Sequence, residues 1–307
     1  MAELDRRLVA WCERQLGATP VERLMGVSQM AEVVGVRLDD GRSVVIKSRS
    51  DPTARAKTCV AVQHHAADAG FPCARPLTDV TDLDGLAVHA EEWRPGGELL
   101  RGDSPEIAER SAQLYAQLAV IVEDLRLSPP LPNPEWVNWD HDGPGLWPPN
   151  ELHDIRPLAT QLPPPLVAIA TRARARLMKS GHLPRVLGHA DWEAQNLRWN
   201  ADGPHAVHDW DSIAWLPEAA LVGAASGAFA SAEIPTLMPL HSSEAFIAAY
   251  ENARGRTFAV EERELAWAAS LWPALHNARA EFLWHTQPVA LTEVLTQGEE
   301  RLRRAGA

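Results

Sequence analysis

Apolar and polar positions in the first hundred residues alternate between a helical and a strand period. Leu4, Leu8, Trp11 with Cys12, and Leu16 share one helical face, and Gly17 closes the run as a C-cap. Strand-like segments follow. Arg23 to Val27 and Ala31 to Leu38 flank a short turn, and Asp39-Asp40-Gly41 is a hairpin signal ahead of Ser43 to Lys47. Asp51-Pro52 reads as N-cap and first helical residue of a helix that Gly70 ends, and Leu86 to Trp93 is a further strand. Helix, three strands, helix and at least one more strand make a small α+β unit that stops at the linker signal Pro95-Gly96-Gly97.

Past residue 100 the helical period dominates. Ser104-Pro105 opens a run in which Ile107, Ser111, Leu114, Leu118, Ile121 and Leu125 recur on one face, as expected of an amphipathic core helix. Further helices are expected at 165–180, 217–232, 243–254, 261–285 with a bend at Pro273, and from about 290 to the basic end at Arg301, Arg303 and Arg304. Between them, residues 128–150 carry seven prolines, which forbid regular structure, and Trp136, Trp139 and Trp147, which argue for order. Long ordered loops are commonly functional. Two readings of this one stay open: a surface for a ring-bearing, cationic acceptor, with Asp140 and Asp142, or packing against the helical part. The pattern divides the chain into residues 1–96 and 97–307.

Composition narrows the class. The first seven residues carry acids and lead into no apolar signal segment, and the most apolar stretch, Ala219 to Ile234, is interrupted by Ser226, Ser231 and Glu233. Three cysteines without CxxC spacing suit a reduced, cytoplasmic protein. A net charge of −12 disfavours a nucleic-acid partner, and the interrupted apolar stretch reads as a buried helix with no membrane partner expected; the charge is compatible with a cationic small substrate or with an acidic surface alone. Only three of the 29 basic residues are lysines, so Lys47 at the end of the apolar strand Val44-Val45-Ile46-Lys47 is an informative choice. An edge strand using lysine to block aggregation is the competing explanation.

The chemistry concentrates between His189 and Asp211. Val186-Leu187 runs into a polar loop, His189 to Asn196, followed by two short strands, Leu197 to Trp199 and Ala206 to His208, joined by the turn-forming Asn200-Ala-Asp-Gly-Pro204. A hairpin brings Asp209 back beside the loop that carries Asp191 and Asn196, so three oxygen donors converge. Phosphoryl transfer needs such a set: an acceptor for a hydroxyl proton and hard oxygen ligands for Mg²⁺.

His189-x-Asp191-x-x-x-x-Asn196 followed by Asp209-Trp-Asp211, with Val44-Val45-Ile46-Lys47 upstream, resembles the catalytic loop, metal-binding Asp and lysine strand of protein kinases. The resemblance is closer to the aminoglycoside phosphotransferases and related small-molecule kinases, and it spans roughly residues 20–280. It implies an α+β, bilobal protein-kinase-like fold: a small N-terminal lobe with an antiparallel sheet, and a larger, mainly helical C-terminal lobe. It further implies transfer of the γ-phosphoryl group of ATP or GTP, with Mg²⁺, to a hydroxyl of a small molecule; antibiotics, aminosugars, choline-like alcohols and amino-acid hydroxyls are acceptors of relatives. By the same resemblance Asp191 is the base or orienting carboxylate, and Asn196 and Asp209 are Mg²⁺ ligands. Lys47 then reaches the phosphates, and Glu92 and Trp93, within the strand end Glu91 to Arg94, form the hinge for the base. The turn from Gly26 to Ala31 would cover the phosphates. His189 would brace the loop, and Asp211 would add a metal contact or face the substrate. Glu193 is either a solvated loop carboxylate or a substrate contact.

Three features depart from the family pattern, one being a nucleotide-covering turn whose single glycine is Gly26. Ala190 stands where His-Gly-Asp is usual, which matters only if the loop needs a left-handed residue there. The helix from about 52 to 69 has no Glu near Cys59 to pair with Lys47, leaving Gln63 or Asp68 as stand-ins. The alternatives are a nucleotide-binding protein of this fold without activity, and a metal-dependent hydrolase using His189, Asp191, His205, His208, Asp209 and Asp211 as ligands. The tryptophans at 192, 199, 210 and 215 read as packing residues.

Overall fold

The structure, a computed structural model, describes residues 5–28, 31–100, 104–149, 161–228 and 237–307. Helix α1 (Arg6–Leu16) is capped by the Asp5 side chain, which accepts from the Arg7 amide, and it ends at Gly17 in the left-handed conformation that a residue without Cβ adopts freely. Strands β1 (Pro20–Ser28), β2 (Glu32–Leu38) and β3 (Ser43–Arg49) form an antiparallel meander. Strand β4 (Thr81–Leu83) and strand β5 (Leu86–Glu92) complete a five-stranded sheet in the order β1-β2-β3-β5-β4. Alternation sends Val34, Val36, Leu38, Val44, Ile46, Val88 and Ala90 into a core against Trp11 and Cys12 of α1. Val45 and Lys47 therefore project from the opposite face.

Strand β3 lies in the middle of the sheet, which removes the edge-strand explanation for Lys47. Helix α2 (Arg55–Asp68) begins three residues later than Asp51-Pro52 suggests. Asp51 still caps it, accepting from the amides of Arg55 and Ala56 at 2.9 and 2.8 Å, but Pro52 lies in the turn before the helix.

Helix α3 (Pro105–Val122) starts at its expected cap, Ser104. Helix α4 (Pro164–Lys179) leads to β6 (Arg185–His189), then the hairpin β7 (Leu197–Asn200) and β8 (Gly203–Val207), then β9 (Ile213–Pro217). Strand β9, absent from the sequence reading, pairs antiparallel with β6. Its Ile-Ala-Trp-Leu run is buried on both faces, so it shows no alternation. Helices α5 (Glu218–Ala228), α6 (Leu240–Arg254), α7 (Val260–Ala269), α8 (Trp272–Trp284) and α9 (Val289–Arg304) build the rest. The end of the helix expected at 217–232 falls outside the described residues. The expected bent helix at 261–285 is two helices, because Pro273 has no N–H to donate and serves in the first turn of α8.

Two isolated backbone bridges tie the hairpin to the segments that follow α2 and β5. Glu98 exchanges both hydrogen bonds with Trp199 at 2.8 and 2.9 Å, and Val207 N–H donates to the Pro72 carbonyl at 2.7 Å.

Candidate active site

Strand β6 delivers His189 into the core, and the chain then loops to a short helical turn at Ala194–Asn196 before β7. Every backbone group at the start of this loop has a partner. Ala190 N–H donates to Ser212 O (2.9 Å), Trp136 Nε1 donates to Ala190 O (2.9 Å), and Tyr115 Oη donates to His189 O (2.9 Å). Buried His189 is kept neutral by its burial. Its Nε2–H donates to His208 O (2.9 Å), which leaves Nδ1 to accept from Asp191 N–H at 3.3 Å. The imidazole thus clamps the loop to the hairpin, and His208 N–H closes the circuit on Asn196 O at 2.9 Å. Ala190 is not among the residues with positive φ, so its methyl costs nothing.

The left-handed residue of the site is Asp209, at φ 60° and ψ 49°. Aspartate tolerates this region better than most residues, and the turn directs its side chain back towards the loop. Ser212 Oγ donates to Asp209 Oδ2 at 3.0 Å. Asn196 Nδ2 donates to both Asp191 O (3.0 Å) and Asp191 Oδ2 (2.9 Å). This fixes the amide orientation and turns Asn196 Oδ1 away from Asp191, free to accept. Burial, and then the Asp209 carboxylate beside it, push the Asp191 carboxyl up to about 7. Two acidic groups held together, with an amide oxygen alongside, are the donor chemistry that a hard divalent cation takes, so these residues fit Mg²⁺.

Glu193 is 7% exposed, which excludes the solvated reading; burial and the charges of Asp191 and Asp209 hold its carboxyl well above the usual range. Asp211 does not join Asn196 and Asp209. Its carboxylate forms an ion pair with Arg49 of β3, and this, with Lys47, keeps it ionised against the penalty of burial. The histidines do not gather either. His205 faces the Pro95 carbonyl at 3.0 Å, His189 is in the core, and among the described residues no group of three or more His, Cys, Asp or Glu is arranged to hold a metal. The hydrolase reading loses its ligand set.

A cavity of about 540 Å³ opens beside Asp209, lined by Val33, Val45, Lys47, Glu92, Trp93 and His208 among others. Trp93 lies against Gly35 of β2, where a Cβ would come within 2.5 Å of the indole. The backbone N–H of Glu92 donates to Arg75 O (2.9 Å) and that of Trp93 to Ser43 O (3.4 Å), so both hinge amides are committed within the protein. Of the turn from Gly26 to Ala31, Gln29 and Met30 lie outside the described residues.

Lys47 Nζ stands 3.0 Å from Glu91 Oε1, and Gln63 Nε2 donates to Glu91 Oε2 at 2.8 Å. Burial alone would drain the ammonium, but Glu91, Asp211 and Asp209 outweigh it and hold Lys47 above its ordinary value. Asp68 takes no part; it is paired with Arg75 and His64 on the surface. Glu91 as a side chain was missed by motif reading. The register Val45↔Glu91, beside Lys47↔His89, places it on the face of Lys47, and the signal for it was an acid at the end of an otherwise apolar strand.

The loop at 128–149 packs. Trp139 is 4% exposed with its ring edge-on to Trp272 at 6.5 Å, Trp147 lies 5.4 Å from the same ring, and Asp140 is paired with Arg185 at 2.6 Å. Of the three indoles, that of Trp136 reaches the loop His189 to Asn196, at Ala190 O. The acceptor surface expected around Trp139 and Asp140 is therefore not formed by those groups.

Comparison with known proteins places this geometry. Among solved structures, the fold matches an amicoumacin kinase in complex with AMP-PNP, Ca²⁺ and Ami (TM-score 0.63, 12% identity, 97% of this chain and 93% of that one). It also matches an aminoglycoside phosphotransferase from Alicyclobacillus acidocaldarius (0.56, 17%, 100% and 96%) and a spectinomycin phosphotransferase in complex with ADP and spectinomycin (0.53, 12%, 100% and 99%). A comparison with curated proteins gave no match. The profile of the phosphotransferase enzyme family matches residues 29–220, from β2 through the loop His189 to Asn196 and the hairpin to the start of α5, and the chain belongs to that family.

Proposed function

We propose that this phosphotransferase moves the γ-phosphoryl group of ATP or GTP onto a hydroxyl of a small molecule, with the nucleotide in the cavity between Lys47 and Asp209. The observation that carries this reading is the Asp191, Asn196 and Asp209 constellation, whose Asp209 lines that cavity together with Lys47. Residues 1–96 would form the nucleotide lobe, and residues 97–307 the lobe holding the catalytic loop and acceptor. Val33 and Val45 would flank the base, and Glu92 and Trp93 would border it with their amides already bonded to Arg75 O and Ser43 O. Lys47 would contact the phosphates.

The Asp191 carboxylate accepts a hydrogen bond from the acceptor hydroxyl and aligns it in line with the γ-phosphorus. As the new O–P bond forms and the bond to the β–γ bridging oxygen breaks, the hydroxyl proton passes to Asp191 and nucleoside diphosphate leaves. A carboxyl held near neutrality suits this exchange. Mg²⁺ would be held by Asn196 Oδ1 and the Asp209 carboxylate, and when bound it neutralises phosphate charge. The crowded carboxyls of Asp191 and Glu193, which a neighbouring cation would return to their charged form, and the net charge of −12 favour a cationic acceptor. Cys12, Cys59 and Cys73 are all buried and unpaired, which supports a reducing, cytoplasmic setting.

The test is a screen of amino alcohols, aminosugars and aminoglycosides with ATP or GTP and Mg²⁺, read as phosphorylated product. On an acceptor so found, Asp191→Asn should lower kcat on the order of 10²-fold while nucleotide affinity stays near wild type. Turnover above about a tenth of wild type would remove Asp191 from the chemistry, since that loss is too small for a positioned acid–base group.

A further inference from the structure

We propose that Glu91 on β5 and Gln63 on α2 act together as the positioning device for Lys47, with the carboxylate on the sheet and a neutral amide on the helix. The proposal rests on the reading of Lys47 as a phosphate contact.

Three observations carry it. Lys47 and Glu91 are both buried, their side chains 11% and 4% exposed, so their 3.0 Å contact is shielded from water in a way that a surface pair is not. The second carboxylate oxygen of Glu91 is held by Gln63 Nε2, and that same nitrogen donates to Ala74 O, each at 2.8 Å. Both amide hydrogens of Gln63 are thereby spent on groups that can only accept. Position 63 therefore calls for a double donor: a carboxylate there would face Glu91 and a carbonyl with nothing to give either. This explains why α2 has no Glu. One buried ammonium balances one buried carboxylate, and β5 already supplies it.

The neighbouring charges give the pair its purpose. Asp209 and Asp211 also attract Lys47. Asp211 is occupied by Arg49, but Asp209 is not paired with any cation among the described residues. Without Glu91 the ammonium is drawn towards Asp209, away from the line of the phosphates and onto the group assigned to Mg²⁺. Glu91 holds it back, and Gln63 holds Glu91, so the seating of α2 reaches Lys47 through a hydrogen bond instead of through a charge.

The test measures binding of Mg·AMP-PNP by titration calorimetry, and melting temperature in parallel, for Lys47→Ala, Glu91→Gln, Gln63→Glu and the exchanged pair Gln63→Glu/Glu91→Gln. Glu91→Gln and Gln63→Glu should each weaken binding on the order of 10-fold, one by removing the anion and the other by crowding two carboxylates. The exchanged pair restores one acid and one amide side by side but leaves a carboxylate against Ala74 O and an amide against Lys47, so its affinity should recover part of the way, above the worse single variant, a coupling expected of residues in one network. If Lys47→Ala weakens binding but Glu91→Gln does not, the positioning role is wrong while the nucleotide reading survives. If Lys47→Ala itself binds like wild type, the assignment of Lys47 fails first. A lowered melting temperature with unchanged affinity makes the pair a packing feature only and overturns the proposal. Should either single variant fail to fold, an exchanged pair no better than the worse single overturns it as well.

Discussion

Replacing Gly223 with alanine should destabilise the protein although alanine is the better helix former. In a free helix the change gains up to about 1 kcal/mol. Here α5 crosses α7 with backbone almost on backbone: a Cβ at Gly223 would lie 2.6 Å from Ala266 Cα and 2.7 Å from its carbonyl carbon, and closer still to its oxygen. Those atoms are inside a helix and cannot rotate aside, so the two helices must part by about 1 Å to reach ordinary contact, loosening the surrounding layer. Gly227, one turn on, meets Ser270 the same way at 2.7 Å, so the helices cannot pivot about one point. Overpacking of this kind costs about 1–3 kcal/mol and more when backbone must move, which exceeds the propensity gain. The net expectation is a loss of about 2–3 kcal/mol, a fall of about 1 M in the urea midpoint for a slope near 3 kcal/mol per M. The candidate site should feel it too, because Leu221 of α5 packs against Gly188 of β6, two residues from Ala190 in the loop that carries Asp191. Paired urea melts followed by far-UV circular dichroism decide the matter. A midpoint equal to or above wild type would refute the close crossing.

Asp209→Ala should abolish the Mg²⁺-dependent part of the rise in melting temperature that ATP produces, since a ligand bound only by the native state stabilises it by mass action; an unchanged shift would take Asp209 out of the metal site. Burial and then the Lys47 ammonium drive His89 down to about 4, so the unfolded chain takes up this proton first, and stability falls as pH drops from about 6.5 towards 4. His89→Gln should therefore lose about 2–3 kcal/mol less than wild type between pH 7 and 4.5, and parallel acid limbs in urea melts would show that His89 does not titrate so low. Trp139→Ala should cost about 3–5 kcal/mol of stability through the void beside Trp272, with no selective rise in acceptor KM; such a selective rise would return Trp139 to the acceptor site.

Much of this protein was legible in the chain because its signals are local. Helix caps at Ser104 and Gly17, the Asp39-Asp40-Gly41 turn and the alternation through Val44 to Lys47 are set by neighbours a few residues apart, and the structure keeps them. The spacing from His189 to Asn196, and the hairpin that returns Asp209, brought the site together on the page for the same reason. What the sequence could not decide is which partner a charged side chain chooses across distant segments. Glu91 stands 44 residues from Lys47, Arg49 takes Asp211 from the site, and Arg301, a basic residue at a helix end by pattern, is fully buried against Ser270, Ser243 and the Met238 carbonyl. Strand β9 and the break before α8 were hidden for a related reason: full burial erases alternation, and a proline can bend a helix or begin one depending on what packs around it. Local periods and motif spacing determined the elements and named the chemistry. Tertiary packing alone assigned the charges their partners, because the cost of burying an ion is settled only when every neighbour is in place.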